Sequence, residues 1–307
     1  MSGDKILLTG GSGFLGRIVK TYLESSINAK IITIGRGSDN DIQFDVSDPS
    51  STIELPDDIC TVIHAAGKAH VLPKTEKEAQ DFFDVNFLGT KNLCDQINRL
   101  SILPKYFVFI STVAVYGVDE GEMITEEHPL NGNTPYAKSK ILAEEYLLTW
   151  AKSNNITLTI LRLPLVAGPG APGNLGAMVS SIKKGRYFSI GKANARKSVI
   201  WAEDVAKVIS LVAPVGGVYN ITDGFHPSFK ELETIIADGL KVKMPFAIPS
   251  FVATLMAGVG DLVGKRSPIN SSKLRKIKST LTFNDSKLHQ IINWTPSPVV
   301  EKLKQNL

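Results

Sequence analysis

The stretch ILLTGGSGFLG, residues 6–16, constrains this chain more than any other. An apolar run ends at Thr9, glycines follow at Gly10, Gly13 and Gly16, and a helix-patterned segment opens at Phe14. In the order strand, glycine turn, helix, each glycine has a job. Gly10 permits the tight turn, Gly13 lets a pyrophosphate approach the backbone, and Gly16 lets helix and strand pack closely. The helix start, at Phe14 and Leu15, offers unpaired N–H groups and the positive end of its dipole to phosphates. The motif therefore points to a βαβ unit built for a dinucleotide. A purely structural strand–helix turn is the alternative.

The rest of the chain has the rhythm such a unit requires. Val/Ile/Leu/Phe runs without polar alternation predict strands at 5–9, 30–35, 41–46, 60–66, 106–112 and 157–163. Helix patterns fall between them at 14–26, 76–100 and 136–153. Strands of this texture are buried on both faces, and their alternation with helices implies a parallel sheet covered on both sides. The fold class is α/β, a Rossmann-type doubly wound parallel sheet with a smaller mixed α/β capping region. After Leu163 the loop-like PLVAGPGAPGNLG changes the texture. Helices are then predicted at 175–185, 204–212, 228–240, 250–264 and 284–293, with strands at RYFSI and KSVIW and a further sheet strand at 216–222. The expected division is a dinucleotide-binding domain of residues 1–163 and 202–222, capped by a substrate region of 164–201 and 223–307.

Composition narrows the partners. The 307 residues are 43% hydrophobic and 21% charged, with a net charge of +4 spread along the chain. The short basic stretch Ser272–Lys278 reads as a solvated helix face, so no nucleic-acid partner is expected. Cys60 and Cys94 lack metal-ligand spacing and read as buried thiols in a reducing, cytoplasmic compartment; no metal site is expected. MSGDKILLTG enters a strand at once and leaves no room for a signal peptide. The apolar run PFAIPSFVATLMAGVGDLVGK is broken by prolines, glycines and Asp261, and reads as a buried helix without a membrane span.

Chemistry is concentrated in TPYAKSK, residues 134–140, where Tyr136 and Lys140 lie one turn apart on one helix face. A positive charge beside a phenol favours the phenolate. A tyrosine tuned this way passes protons to a substrate oxygen at neutral pH. A second feature bears on the cofactor. An acid at the end of the second strand would bind the ribose 2′-hydroxyl of NAD; this chain has Ile34-Gly35-Arg36-Gly37. An arginine there suits a 2′-phosphate, so NADP(H) is favoured over NAD(H). A surface role for Arg36, with Asp39 or Asp41 reaching the ribose, remains the alternative.

Taken together, the motifs resemble the extended short-chain dehydrogenase/reductase superfamily in its nucleotide-sugar branch, over nearly the whole chain. Besides the glycine loop and the Tyr136/Lys140 pair, the resemblance rests on Asp45-Val46-Ser47-Asp48, His64-Ala65-Ala66-Gly67 and Asn86-x-x-Gly89-Thr90-x-Asn92. It also rests on Phe109-Ile110-Ser111-Thr112, Val115-Tyr116-Gly117, Leu161-Arg162-Leu163-Pro164 and Gly168-Pro169-Gly170. It implies that Asp45 and Val46 contact adenine and that Ala65, Ala66 and Gly67 pass under the cofactor. Asn86, Ile110 and Leu163 fall at further cofactor positions. Thr112 would hold the reacting oxygen and Tyr136 would be the acid/base. Lys140 would lower the tyrosine's pKa and hold the nicotinamide ribose. His64 reads as structural, and Cys94 and Met178 take no functional role. Family members often dimerise through two helices, which here would be 76–100 and 136–153.

The branch contains 4-epimerases, 4,6-dehydratases, decarboxylases and 4-keto reductases. Dehydratases carry an Asp-Glu pair after the catalytic Thr; here Val113 and Ala114 stand there, which argues against dehydration. LRLPLVAGPGAPGNL and ARKSVIWAEDVA resemble bacterial reductases of UDP-4-keto-6-deoxy-N-acetylhexosamines in surface-polysaccharide synthesis. That makes Asn174, Arg196, Lys197 and Trp201 candidates for the UDP end of the substrate, against the plainer reading of a solvated charge pair and a core tryptophan. A UDP-sugar 4-epimerase and a non-catalytic dinucleotide-binding regulator are the alternatives.

Overall fold

The computed structural model describes residues 5–263 and 270–307. The first half runs β1 (Lys5–Thr9), α1 (Phe14–Ile27), β2 (Lys30–Gly35), β3 (Ile42–Gln43), β4 (Ile59–His64), α2 (Glu76–Phe83), α3 (Gly89–Ile97), β5 (Tyr106–Thr112), β6 (Gly121–Ile124), α4 (Pro135–Ser153) and β7 (Thr157–Leu163). Then come β8 (Leu165–Ala167), α5 (Gly173–Lys183), β9 (Phe188–Ile190), β10 (Val199–Trp201), α6 (Ala202–Val212), β11 (Gly217–Asn220) and α7 (Phe229–Gly239). The chain ends with β12 (Phe246–Ile248), α8 (Ser250–Val263), α9 (Ser271–Lys278), β13 (Leu281–Phe283), α10 (Ser286–His289) and α11 (Val299–Asn306).

Seven strands form one parallel sheet in the order β11-β7-β5-β4-β1-β2-β3. The order reverses between β1 and β4, which opens a crevice at their C-terminal ends. Side-chain alternation explains the two helical layers. Ile6 and Leu8 of β1 point to a cluster with Val19 and Leu23 of α1 and Val205 and Ile209 of α6. Leu7 points the other way, toward Leu93 and Ile97 of α3 and Ala143 and Leu147 of α4. Both faces of the sheet are thus apolar, as the uninterrupted strand patterns require.

Three expectations are corrected by local chemistry. The strand expected at 41–46 shrinks to Ile42–Gln43, because the Asp45 carboxylate turns the chain by accepting from the Ser47 N–H (2.9 Å) and hydroxyl (2.7 Å). The helix expected at 76–100 is broken by a π-helical turn at Asp84–Leu88 and ends at Ile97. The helix expected to be buried at 250–264 is α8; position 264 lies outside the described residues. Its packing face is made of Ala253 and Ala257, against Ile190, Ile248 and Leu274. Its large apolar side chains face outward instead. No helix among the described residues is long and apolar enough to cross a membrane. Cys94 is buried, which pushes its thiol pKa up, whereas Cys60 is only partly buried.

Candidate active site

Thr9 and His64 are register partners at the ends of β1 and β4, so the loops after them leave the sheet side by side. Gly10 has φ +73, and a Cβ there would sit 2.7 Å from the Ala66 nitrogen. A Cβ on Gly16 would run into the Gly10 carbonyl, so α1 can lie this close only with glycine at both places. Gly13 is exposed, and its Cβ would meet nothing but the Gly10 oxygen at 3.1 Å. No side chain caps α1, whose first turn carries Phe14 and Leu15, both half-buried. An open glycine at an uncapped helix start fits a dinucleotide pyrophosphate.

Beside this loop a cavity of about 450 Å³ is lined by Arg36, Ser47, Gly67, Lys68 and Asp81, among others. Arg36 is exposed. The Asp41 carboxylate is taken by Thr33, which donates to it from its N–H (2.8 Å) and its hydroxyl (2.7 Å). Asp39 accepts from Asn40 (3.3 Å), and Asp45 holds Ser47. Val46 is buried and its carbonyl accepts from Asn92 (2.8 Å).

A buried relay fixes the loop that runs under this cavity. The Ala66 N–H donates to the Thr9 hydroxyl (3.1 Å), which lies 2.6 Å from His64 Nδ1. The Thr90 hydroxyl donates to the Asn86 carbonyl (2.6 Å), so toward His64 Nε2, 3.0 Å away, it can only accept. The proton therefore sits on Nε2, and Nδ1 accepts from Thr9. Burial, with Lys140 nearby, pushes the imidazole down to about 3, so His64 is neutral. Asn86, in the π-helical turn, accepts from the Lys68 N–H (2.7 Å) and donates to the Lys68 carbonyl (3.1 Å) and to Ser139 (3.0 Å). It staples the Ala65–Lys68 loop to α4.

The Thr134 side chain caps α4 by accepting from the Ala137 N–H (3.1 Å), with Pro135 in its first turn. This aims Tyr136 and Lys140 at the end of β5. Burial raises the Tyr136 pKa, while a hydrogen bond with Thr112 pulls it back down. The expectation of a lysine-lowered phenol is therefore not met: Tyr136 rests protonated. The main cause is the burial of the phenol, and the Lys140 ammonium has its own partners. It donates to the Ile110 carbonyl (2.8 Å) and sits 4.4 Å from the Phe109 ring centroid. Burial pushes this ammonium down to about 8, against an upward pull from Glu144. We predict that activity falls above pH 8 as Lys140 loses its proton. In Glu144→Gln the missing carboxylate lets the lysine value drop, so the alkaline limb moves to lower pH. An unchanged limb in that variant would assign it to another group.

Glu144 was not singled out from the sequence, although it follows Lys140 by four residues on the buried face of α4. It accepts from Ser111 and pairs with Arg162 (2.7 Å), with both side chains almost fully buried. Arg162 also donates to the Tyr116 hydroxyl (3.2 Å), which donates to Asn220 (2.7 Å). Ser111, which ties β5 to this network, directly precedes Thr112. Leu163, its β7 register partner, is buried beside it.

The four candidates for the substrate's UDP end are more scattered. Asn174 is exposed in the first turn of α5. Arg196 donates to the His226 carbonyl (3.0 Å). Lys197 is half-buried, and burial pushes it down to about 8, with Asp119, Lys276 and Glu120 nearby. The two cations do not form one side-by-side pair, because extended backbone sends neighbours to opposite sides. Trp201 is buried among Ala167, Met178 and Leu232 in an apolar cluster. Val113 and Ala114 begin a 3₁₀ turn and place no carboxylate beside Thr112.

The pattern that defines the NAD dependent epimerase/dehydratase family matches residues 6–222. The chain belongs to that family. Its relatives include the N-acetyl-α-D-glucosaminyl-diphospho-ditrans,octacis-undecaprenol 4-epimerase of Escherichia coli O157:H7, 26% identical over 93% of this chain and 89% of that protein. The UDP-glucose 4-epimerase of Vibrio cholerae is 27% identical over 97% and 92%. The GDP-6-deoxy-D-mannose reductase of Pseudomonas aeruginosa is 24% identical over 97% and 94%. Among solved structures, RMD from Pseudomonas aeruginosa complexed with NADPH superposes with a TM-score of 0.74, at 22% identity over 98% of this chain and 97% of that one. MoeE5 in complex with UDP-glucose and NAD gives 0.73, at 20% identity over 98% and 96%. These likenesses bear on the fold. With the family match, they make the chain an NAD(P)-dependent enzyme of the epimerase/reductase kind.

Proposed function

We propose that the chain uses NADPH to reduce C4 of a UDP-linked 4-keto-6-deoxy-N-acetylhexosamine in surface-polysaccharide synthesis. The observation that carries this reading is Arg36, exposed at the cavity edge while Asp39, Asp41 and Asp45 bind their own neighbours. A guanidinium there suits a 2′-phosphate, and Asp41 is turned back on Thr33. The bound nicotinamide supplies the hydride. In this reading Thr112 and Tyr136 hold the keto oxygen between their hydroxyls. Tyr136 rests protonated and gives its proton as C4 becomes an alkoxide. In the same reading Lys140, its ammonium on the Ile110 carbonyl, holds the nicotinamide ribose. With Val113 and Ala114 beside Thr112, no carboxylate at those positions can take the C5 proton that dehydration must remove.

Residues 164–201 and 223–307 would carry the nucleotide sugar, with Asn174 and either Arg196 or Lys197 toward the diphosphate. The burial of Trp201 favours a packing role for it. Pairing of two copies through the helical segments 76–100 and 136–153, and a cytoplasmic location, belong to the same reading. A 4-epimerase is the second reading, favoured by relatives that bear that name. Titration of both reduced cofactors separates the two. We expect NADPH to bind about tenfold more tightly than NADH or better, on the scale of one charge-assisted contact, and Arg36→Ala to erase the difference. Equal affinities in the wild type would remove the main support for the reductase.

A further inference from the structure

One helix is built inside out. In α8, Phe251, Leu255, Val259 and Leu262 are 69%, 68%, 63% and 89% exposed. They recur at four, eight and eleven residues from the first, which aligns them in one stripe. The opposite side, Ala253 and Ala257, packs on the chain with Leu274 of α9. A core helix would put its large side chains inward. The stripe has apolar company: Phe246 and Phe188, register partners in the β12/β9 pair, are 72% and 54% exposed. Ile190 and Ile248, two positions along those strands, pack beneath α8, which ties the strand pair to the helix.

The strand segments that adjoin α8 are rich in cations. Lys183, Lys184, Arg186 and Lys192 flank β9, and Lys241 and Lys243 precede β12; all are exposed. Neither 183–192 nor 241–260 contains an acidic residue. Asp261, the acid of α8, turns its carboxylate to Ser271, accepting from the N–H (3.0 Å) and the hydroxyl (2.5 Å). An apolar stripe with cations in the adjoining strand segments matches an anionic bilayer surface, where insertion and electrostatic attraction supply the two signals that stable peripheral binding needs. A second copy is the poorer fit, since two-fold pairing across α8 would set each copy's cations against the other's. At 14 residues α8 is too short to span a bilayer and has the length to lie along its surface.

We propose that the outward face of α8, with Phe188 and Phe246, docks this protein on the headgroup–acyl boundary of an anionic membrane. The proposal is independent of which C4 chemistry the active site performs. The test is flotation of the full chain with vesicles of phosphatidylcholine alone or mixed with phosphatidylglycerol, at low and high salt, with the solution mass measured by light scattering. We expect binding to the mixed vesicles that weakens with salt. The double variant Leu255→Asp/Leu262→Asp should bind about tenfold more weakly or worse, from the lost burial of two leucines. Lys241→Glu/Lys243→Glu should weaken binding while leaving the stripe intact. Far-UV circular dichroism checks that the variants fold, and Leu255→Ser/Leu262→Ser replaces the Asp pair if it does not. The idea fails if the wild type stays with buffer, or if the Leu variant floats as the wild type does. It fails equally if the wild type is a dimer that neither binds vesicles nor survives the Leu substitutions.

Discussion

Tyr136→Phe lowers turnover by about a hundredfold or more, the scale set by a positioned general acid. The substitution removes one hydroxyl and keeps the ring that packs 6.0 Å from Phe82. The Thr134 cap and the Lys140–Ile110 contact lie outside it, so α4 keeps its place. Cofactor affinity should therefore change little, and the loss should fall on kcat rather than on binding. Thr112→Val makes a useful companion, because it removes the other hydroxyl proposed to hold the keto oxygen. Steady-state kinetics on both variants, with the cofactor titrated separately, checks the assignment. A Tyr136→Phe enzyme that turns over like its parent means the proton travels another way.

Glu144→Ala carries the largest expected effect on stability. The Glu144 and Arg162 side chains are 2% and 6% exposed and share a 2.7 Å contact. Removing the carboxylate strands a guanidinium in the protein interior and leaves the Ser111 hydroxyl without its acceptor. Breaking a buried pair from one side typically costs about 3–5 kcal/mol. Urea unfolding of wild type and variant should show a drop of that size with an unchanged slope. A loss under about 1 kcal/mol would class the pair with exposed salt bridges. In that case the network joined to β5 through Ser111 does not support the site in the way its burial implies.

What the sequence made legible was whatever depends on near neighbours. The glycine loop, the strand cores and the Thr-Pro start of α4 are encoded within a few residues, and β1, β2, β5 and β7 end where the apolar runs end. A short apolar run, buried on both faces of a parallel sheet, is a local signal. Long-range hydrogen bonds are not. His64 reads as a structural histidine, but its partners Thr9 and Thr90 lie 55 and 26 residues away. Glu144 looks like any acid on a helix until Arg162 arrives from β7. The direction of the Tyr136 shift is long-range too, because it is the fold that buries the phenol. Sequence spacing puts an ammonium one turn away, while the Ile110 carbonyl that claims it comes from β5. α8 misled because apolar content predicts burial only on average. Which of its faces packs was set by the small residues Ala253 and Ala257.

The most direct test of the central claim follows the hydride itself. NADPH carrying deuterium at C4 of the nicotinamide is incubated with the UDP-4-keto-6-deoxy-N-acetylhexosamine made by a separate dehydratase, and the sugar product is examined by NMR. The account predicts deuterium at C4 of the 6-deoxy sugar, one NADPH consumed per sugar formed, and far slower reaction of the free sugar than of its nucleotide ester. Interconversion of UDP-linked 4-epimers with no net consumption of cofactor, and no deuterium delivered to the keto sugar, would contradict it and leave a 4-epimerase in its place.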